Sequence, residues 1–271
     1  MINYGNRKKK LLTYFEHAGG VLRLTLVNPE RRNVLSKDML SSLSIALDNA
    51  ANEDTVRVII LSAEGPVFCA GHDLIEISRA RENRDRGREF FVQLMTMCSE
   101  VMLKIQNCPK PVIAEIDGVA TAAGCQLVAS CDLAVASENA QFCTPGVHIG
   151  LFCSTPMVAL SRNVTNKHAM EMLLTGDMVP ATRAAEMGLV NQVVPRNVLK
   201  DTAMELAKKI AAKSTLTVAT GKCAFYQQKE MDLAAAYNYT SQIMVENMMA
   251  RDAKEGIAAF IEKREPDWCD E

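Results

Sequence analysis

Two glycine-containing segments, Phe68-Cys-Ala-Gly-His-Asp-Leu74 and Gly118-Val-Ala-Thr-Ala-Ala-Gly-Cys-Gln126, hold the residues whose types and spacing could do chemistry. Each follows an apolar run that reads as a buried strand, Val56 to Leu61 before the first and Val112 to Ile116 before the second. Where a strand hands over to a turn or helix, backbone N–H groups are left unpaired and point outward. Two such groups aimed at one point would hold the charge that develops on a thioester carbonyl oxygen. A carboxylate beside them could move a proton, but the second segment ends on the amide of Gln126.

The elements that must position these segments can be read from the pattern. Val21 to Leu26 alternates apolar and polar residues and predicts a strand that ends at the Asn28-Pro29 turn. Ser36 caps an amphipathic helix running to about Ala51, and Val56 to Leu61 follows as a strand. The charged stretch from Arg79 to Arg88 is expected as a mobile loop or solvated helix start, because its charge density opposes burial. A helix from about Glu89 to Gln106 ends before Cys108-Pro109, and Val112 to Ile116 leads into the second glycine segment. Ala122 to Cys131 is expected as a short buried helix, Leu133 to Ser137 as a strand, and Phe142 to Ile149 as a further strand or loop edge. Beyond Thr155 the pattern is helical, interrupted by Leu189 to Val194 as a short strand. Loss of strands places a boundary near residue 200, dividing an α/β core over 1–200 from a helical region over 201–271 suited to subunit packing.

Composition narrows the function classes. A chain of 271 residues with 48% hydrophobic content suits one large α/β domain. The net charge of −2, with basic residues spread apart from the Arg7-Lys-Lys-Lys10 run, gives nucleic-acid binding no support. No run approaches the roughly 18 apolar residues of a membrane span, so the sequence predicts a soluble, intracellular protein. Nine cysteines without a C-x-x-C pair read as reduced, packed thiols. His17, His72, His148 and His168 do not complete a metal-ligand spacing, and no metal is expected.

Six segments in order then carry a resemblance: Arg31 to Leu35, Phe68 to Leu74, Gly118 to Asp132, Phe142 to Gly150, Ala184 to Pro195 and Glu255 to Arg264. On these the chain resembles the crotonase, or enoyl-CoA hydratase/isomerase, superfamily over nearly its whole length. The resemblance implies an α/β fold built as a crotonase-like spiral of ββα units in two roughly perpendicular sheets. It also implies a helical C-terminal trimerisation region giving a homotrimer or a dimer of trimers. An acyl-CoA thioester is the implied partner, with no cofactor beyond the coenzyme A of the substrate, in fatty acid metabolism. Mitochondria are the implied compartment, while residues 1–12 are basic without amphipathic arginine spacing.

Carried over by position, the oxyanion N–H groups belong to His72 and Ala123, and the two hydratase glutamates fall at Gln126 and Gly146. Coenzyme A contacts map onto Arg31, Arg32, Ala70, His72, Asp73 and Leu74, and onto Phe260 and Lys263. An amide can orient water but cannot exchange a proton at neutral pH, and glycine can do neither, so ordinary hydration is not expected. Glutamates restored at both positions should restore hydration if the site geometry is kept.

Substitute groups are sought nearby. His72 and His148 titrate in the right range, and each also reads as a hydrogen-bonded structural residue, His148 more so given its apolar neighbours. Asp73 and Asp117 read better as turn-fixing carboxylates. Cys125 adjoins Gln126 at a helix start, but adjacent helical side chains diverge by about 100°, which favours a packed thiol. Two functions stay open: an acyl-CoA enzyme relying on its oxyanion hole, and a non-catalytic acyl-CoA binding or regulatory protein.

Overall fold

A computed structural model describes residues 11–17 and 19–271; the Arg7–Lys10 run lies outside the described residues. The alternating run Val21–Leu26 (β2) pairs antiparallel with Leu12–His17 (β1) and parallel with Val58–Ala63 (β3). Val112–Ile116 (β5), Leu133–Ser137 (β7) and Gln192–Val194 (β10) extend this six-stranded sheet in the order β1-β2-β3-β5-β7-β10. A four-stranded sheet is made from the short strands Val67–Cys69 (β4), Val119–Thr121 (β6), Gln141–Cys143 (β8) and Val179–Pro180 (β9). Successive passes of the chain therefore give one strand to each sheet, as β3 and β4, β5 and β6, β7 and β8. Parallel neighbours require a crossover between passes, and helices supply it.

Those helices are Lys37–Asn52 (α1), Leu74–Ala80 (α2), Arg88–Asn107 (α3), Ala123–Ser130 (α4), Ser154–Leu160 (α5), Asn166–Thr175 (α6) and Ala181–Glu186 (α7). Ser36 caps α1 as expected, its hydroxyl accepting from Met39 N at 3.2 Å. Leu199–Ala211 (α8), Thr215–Gln228 (α9), Leu233–Met249 (α10) and Arg251–Glu262 (α11) complete the chain.

The β3 run is buried on both faces, which explains its unbroken apolar sequence. Ile59 and Leu61 join the main core with Leu24, Phe68, Ile116 and Phe142, while Val58 and Ile60 pack on Ala203 and Ala207 of α8. The expected boundary at residue 200 thus falls inside a helix that belongs to the sheet, and the separate helical region begins with α9.

Two other expectations change. Phe142 to Ile149 is not one strand: β8 ends at Cys143, and Pro145 opens a 3-10 turn over Pro145–Ile149 because it cannot donate to the ladder. Residues 79–88 are not an open loop, since α2 runs to Ala80 and the remainder closes in successive turns, including Glu82 N to Arg79 O and Arg86 N to Asn83 O.

Candidate active site

The two glycine segments meet. Gly71 leaves β4 with φ +81°, and a Cβ built on it would lie 3.0 Å from Thr121 O and Ala122 Cβ and 3.2 Å from Ala123 N. Helix α4 approaches so closely that a Cβ on Gly124 would stand 2.2 Å from Cys69 O, and one on Gly118 would stand 2.0 Å from Pro66 O. Only glycine lets α4 and the β5–β6 turn lie against the β4 strand in this way. Ala122 turns the chain into α4 with φ 52° and ψ −118°, an uncommon conformation for a residue with a Cβ. Among the described residues neither His72 N nor Ala123 N donates to a backbone acceptor outside regular elements, and Ala123 is the first residue of α4, where no intrahelical acceptor exists.

The segment Arg31 to Leu35 runs beside this junction. Ala70 N donates to Arg32 O at 3.0 Å and Leu35 N to Gly71 O at 2.8 Å. Asn33, which the sequence reading passed over, holds the segment in place. Its backbone adopts φ 52°, its Oδ1 accepts from Asn28 N, and its Nδ2 donates to Glu64 O and Val67 O at 2.9 and 2.8 Å. Its signal was an asparagine in a turn, the side chain that tolerates left-handed backbone.

Comparison with known proteins follows this geometry. The enoyl-CoA hydratase/isomerase family model matches residues 16–271. The chain belongs to that family. It is 49% identical over 264 residues to the rat protein named enoyl-CoA hydratase domain-containing protein 3, mitochondrial, covering 97% of this chain and 86% of the relative. It is 32% identical over 249 residues to 2,3-dehydroadipyl-CoA hydratase of Escherichia coli strain K12, covering 92% and 94%. The crystal structure of human enoyl Coenzyme A hydratase domain-containing protein 3 superposes with a TM-score of 0.90 at 48% identity, covering 96% of this chain and all of that one. The α/β fold of the family is thereby shown, with its helical C-terminal region formed by α9 to α11.

Gln126 and Gly146, the positions at which the sequence reading expected replaced glutamates, lie in different surroundings. Gln126 lies one turn into α4, buried, with Oε1 4.0 Å from Cys98 Sγ. It borders a cavity of about 940 Å³ that runs along α4 to Asp132, walled by Met102 and Leu103 of α3 and Tyr226 of α9. His72, Ala123 and Gly146 are not on its wall. Gly146 is buried, and a Cβ there would stand 2.9 Å from Leu151 O and 3.0 Å from Cys153 Sγ. Glutamate at this position therefore meets backbone and sulfur, so restoring both acids demands movement of the Leu151 to Cys153 segment.

Of the histidines, His72 contacts Leu35 O through Nδ1 at 3.3 Å, and its Nε2 is buried without a partner among the described residues. Burial pushes its pKa below the usual histidine value, the contact with Leu35 O opposing, so the ring is neutral at pH 7. His148 is not in apolar surroundings. It is exposed and bonds Thr175 O through Nε2 at 2.8 Å, the hydrogen-bonded structural role expected of it.

The carboxylates do structural work. Asp73 caps α2, accepting from Ile75 N and Glu76 N, and pairs with the Arg31 guanidinium at 2.8 and 2.6 Å. Asp117 takes Arg196 at 2.7 Å and the Ser137 hydroxyl at 2.9 Å. Cys125 is buried and its pKa is raised by desolvation, which removes it as a nucleophile. Cys69 and Cys98 are pushed up to about 12 for the same reason.

The coenzyme A positions divide. Arg31, Arg32, Ala70, His72, Asp73 and Leu74 gather around the junction, with Arg32 and Leu74 exposed. Phe260 and Lys263 do not join them within one chain. The tail after α11 is bound by Asp252, which accepts from Cys269 N and Asp270 N, and by Asp270, which pairs with Arg57 at 2.9 Å. Arg57 immediately precedes β3, so this tail sits at the start of the strand, whereas the junction follows its far end.

Proposed function

We propose that this protein binds acyl-CoA thioesters with the carbonyl oxygen between His72 N–H and Ala123 N–H, and that it does not hydrate enoyl thioesters by the two-glutamate route. The observation that supports this is the seating of Gly71 against Thr121 to Ala123, which packs the two turns bearing these N–H groups against each other without relying on any acid. Such donors polarise the carbonyl and lower the cost of an enolate by acting where charge develops. Chemistry that builds the enolate without a base at residues 126 or 146 suits the site best. Loss of CO₂ from a malonyl-type thioester is one case: the Cα–carboxylate bond breaks, its electron pair passes to the carbonyl oxygen, and water returns a proton to Cα.

A second reading, a non-catalytic acyl-CoA binding or regulatory protein, is favoured by the filled Gly146 position. Calorimetry with saturated acyl-, enoyl- and malonyl-CoA, run beside turnover of the same compounds, separates the two. Binding with turnover supports an enzyme; binding alone supports the second reading; no binding overturns both.

Several finer features belong to the same proposal. The protein acts in fatty acid metabolism, and in mitochondria as the names of its relatives state of those proteins. It assembles as a homotrimer or a dimer of trimers through α9 to α11, where Tyr237, Met248, Met249, Phe260 and Ile261 are exposed apolar residues. Phe260 and Lys263 then reach coenzyme A held by a neighbouring subunit. Light scattering gives the assembly, and Phe260→Ala should weaken acyl-CoA binding in the oligomer.

A further inference from the structure

Eight arginines between Arg23 and Arg264 have carboxylate partners within 4.0 Å, and they are spread over the molecule. Arg79, Arg81, Arg84, Arg86 and Arg88 are different. All five are exposed, and none has an ion-pair partner among the described residues. The acidic residues beside them, Glu82, Asp85 and Glu89, offset part of this charge but make no ion pair with them within 4.0 Å, and the stretch keeps a net positive charge. Asp85 instead accepts from Gly87 N at 2.9 Å and Glu89 N at 2.7 Å.

This cluster is held, not dangling. Glu82 N, Asn83 N and Arg86 N each close a turn on a carbonyl three residues back, at 3.0, 3.0 and 2.8 Å. Arg86 and Gly87 both have positive φ, and a Cβ on Gly87 would lie 2.8 Å from Ala80 O and from the Phe91 ring. Arg81 stacks over that ring at 5.5 Å. Like charges fixed close together repel, and bound anions lower that repulsion. Ile75 on α2 and Val92 on α3, the two helices that the turn joins, are more than half exposed at 52% and 60%.

We propose that this arginine turn docks the protein on an anionic phospholipid surface. Guanidinium groups meet lipid phosphates, and the flanking aliphatic side chains suit the interfacial layer beneath. A single carboxylate or phosphate would occupy one or two of the five. A nucleic-acid strand would call for aromatic rings on which bases stack, and the two rings here are already engaged, Phe91 under Arg81 and Phe90 under Lys37. The turn lies one short helix, α2, of about 10 Å from the oxyanion junction. Docking there sets the junction near a surface into which long acyl chains partition.

The test is co-sedimentation of the full chain with vesicles of equal parts phosphatidylcholine and phosphatidylglycerol, beside vesicles of phosphatidylcholine alone. The protein should pellet with the anionic vesicles only and be released as salt shortens the screening length to about 3 Å at 1 M. The combined Arg81→Gln, Arg84→Gln and Arg86→Gln variant should bind on the order of 100-fold more weakly with an unchanged melting temperature. Lys200→Gln, Lys208→Gln and Lys209→Gln together, an equal change in charge on α8, should bind as the parent does. Pelleting with neither vesicle or equally with both overturns the proposal, as does equal weakening by the lysine variant. Capture of single-stranded RNA without vesicle binding also overturns it and assigns the turn to nucleic acid.

Discussion

Gly71→Ala tests the oxyanion junction directly. The glycine has φ +81°, where a residue with a Cβ costs about 1–2 kcal/mol. The added carbon would also sit 3.0 Å from Thr121 O and Ala122 Cβ and 3.2 Å from Ala123 N, contacts that force the two turns apart by a few tenths of an ångström. Oxyanion donors act at about 2.7–3.1 Å, and removing one costs roughly 10²–10³ in rate, or about 2.7–4 kcal/mol of charge stabilisation. Ground-state binding rests on many other contacts and should weaken less than the carbonyl polarisation does. The suitable assay is isotope-edited infrared spectroscopy of a bound saturated acyl-CoA labelled at the thioester carbonyl, because it needs no turnover. The parent should show a shift of the carbonyl stretch to lower frequency, and Gly71→Ala should lose about half of it, one donor of two. Gly19→Ala is the control. It imposes the same backbone strain at φ +88° with nothing within 4 Å of the new carbon, so it should lower the melting temperature without touching the carbonyl frequency. If Gly71→Ala retains the whole shift, the carbonyl does not lie between His72 and Ala123, and the reasoning fails.

Ala122→Gly should raise stability by about 1 kcal/mol, seen as an increase of a few degrees in melting temperature, because it relieves a Cβ held at φ 52° and ψ −118°. His72 is half-buried and desolvation lowers its pKa, so the unfolded chain takes up a proton at a higher pH than the folded one does. Stability that is present above about pH 6.5 is therefore lost as the pH falls toward the folded value, and His72→Asn should shrink the fall in urea midpoint below that pH. Asp132→Ala strands Lys222, whose Nζ otherwise bonds Asp132 at 2.6 Å, together with the Tyr226 hydroxyl and Val112 N. Both charges are largely buried, so it should cost about 3–5 kcal/mol in urea denaturation, with Asp132→Ala/Lys222→Met costing less than the sum of the single changes. In native protein at neutral pH an alkylating thiol reagent should label Cys223 first, while Cys69, Cys98, Cys125 and Cys131 react only on unfolding, since they are buried with raised pKa values.

The longer elements were legible because each carries its own periodicity. Val21–Leu26, Val112–Ile116 and Leu133–Ser137 are where the pattern put them, and the helices expected over Ser36 to Ala51, Glu89 to Gln106 and Ala122 to Cys131 begin and end within two residues of those bounds. The second sheet was hidden in the residues themselves: β4, β6 and β8 are three residues each, too short to show an alternation. Helix α11 begins at Arg251, directly after α10 ends at Met249, and nothing local in the sequence marks the break between them. At the site, the glycines of both segments stood out, but the reason for Gly124 is the Cys69 carbonyl, which only the folded chain brings near. Arg31 shows the same limit. Its partner Asp73 is 42 residues away, and no spacing rule joins them. The Lys222–Asp132 pair that fixes α9 beside the cavity is a longer case, at 90 residues.

The two halves of the site rest on different kinds of structure. The oxyanion junction is backbone held by absent side chains: Gly71, Gly118 and Gly124 each have a neighbour where a Cβ would be, and any substitution there disturbs the packing of α4 on β4. Gln126 and Gly146, the positions proposed to stand where hydratases carry glutamates, are not among those glycines, so a change at either leaves the three close approaches in place. Gln126 keeps the length of a glutamate and loses its proton chemistry. Gly146 goes further, because Leu151 O and Cys153 Sγ occupy the space that a side chain would use. Burial holds the Cys153 thiol above its usual pKa, so it brings no charge to this position. The second acid position is thus closed by its neighbours. A Gln126→Glu change alone restores one carboxylate to an intact junction, whereas Gly146→Glu must first displace the Leu151 carbonyl. If hydratase activity can be built back, the first substitution should bring a proton-exchange activity at Cα before the second adds anything.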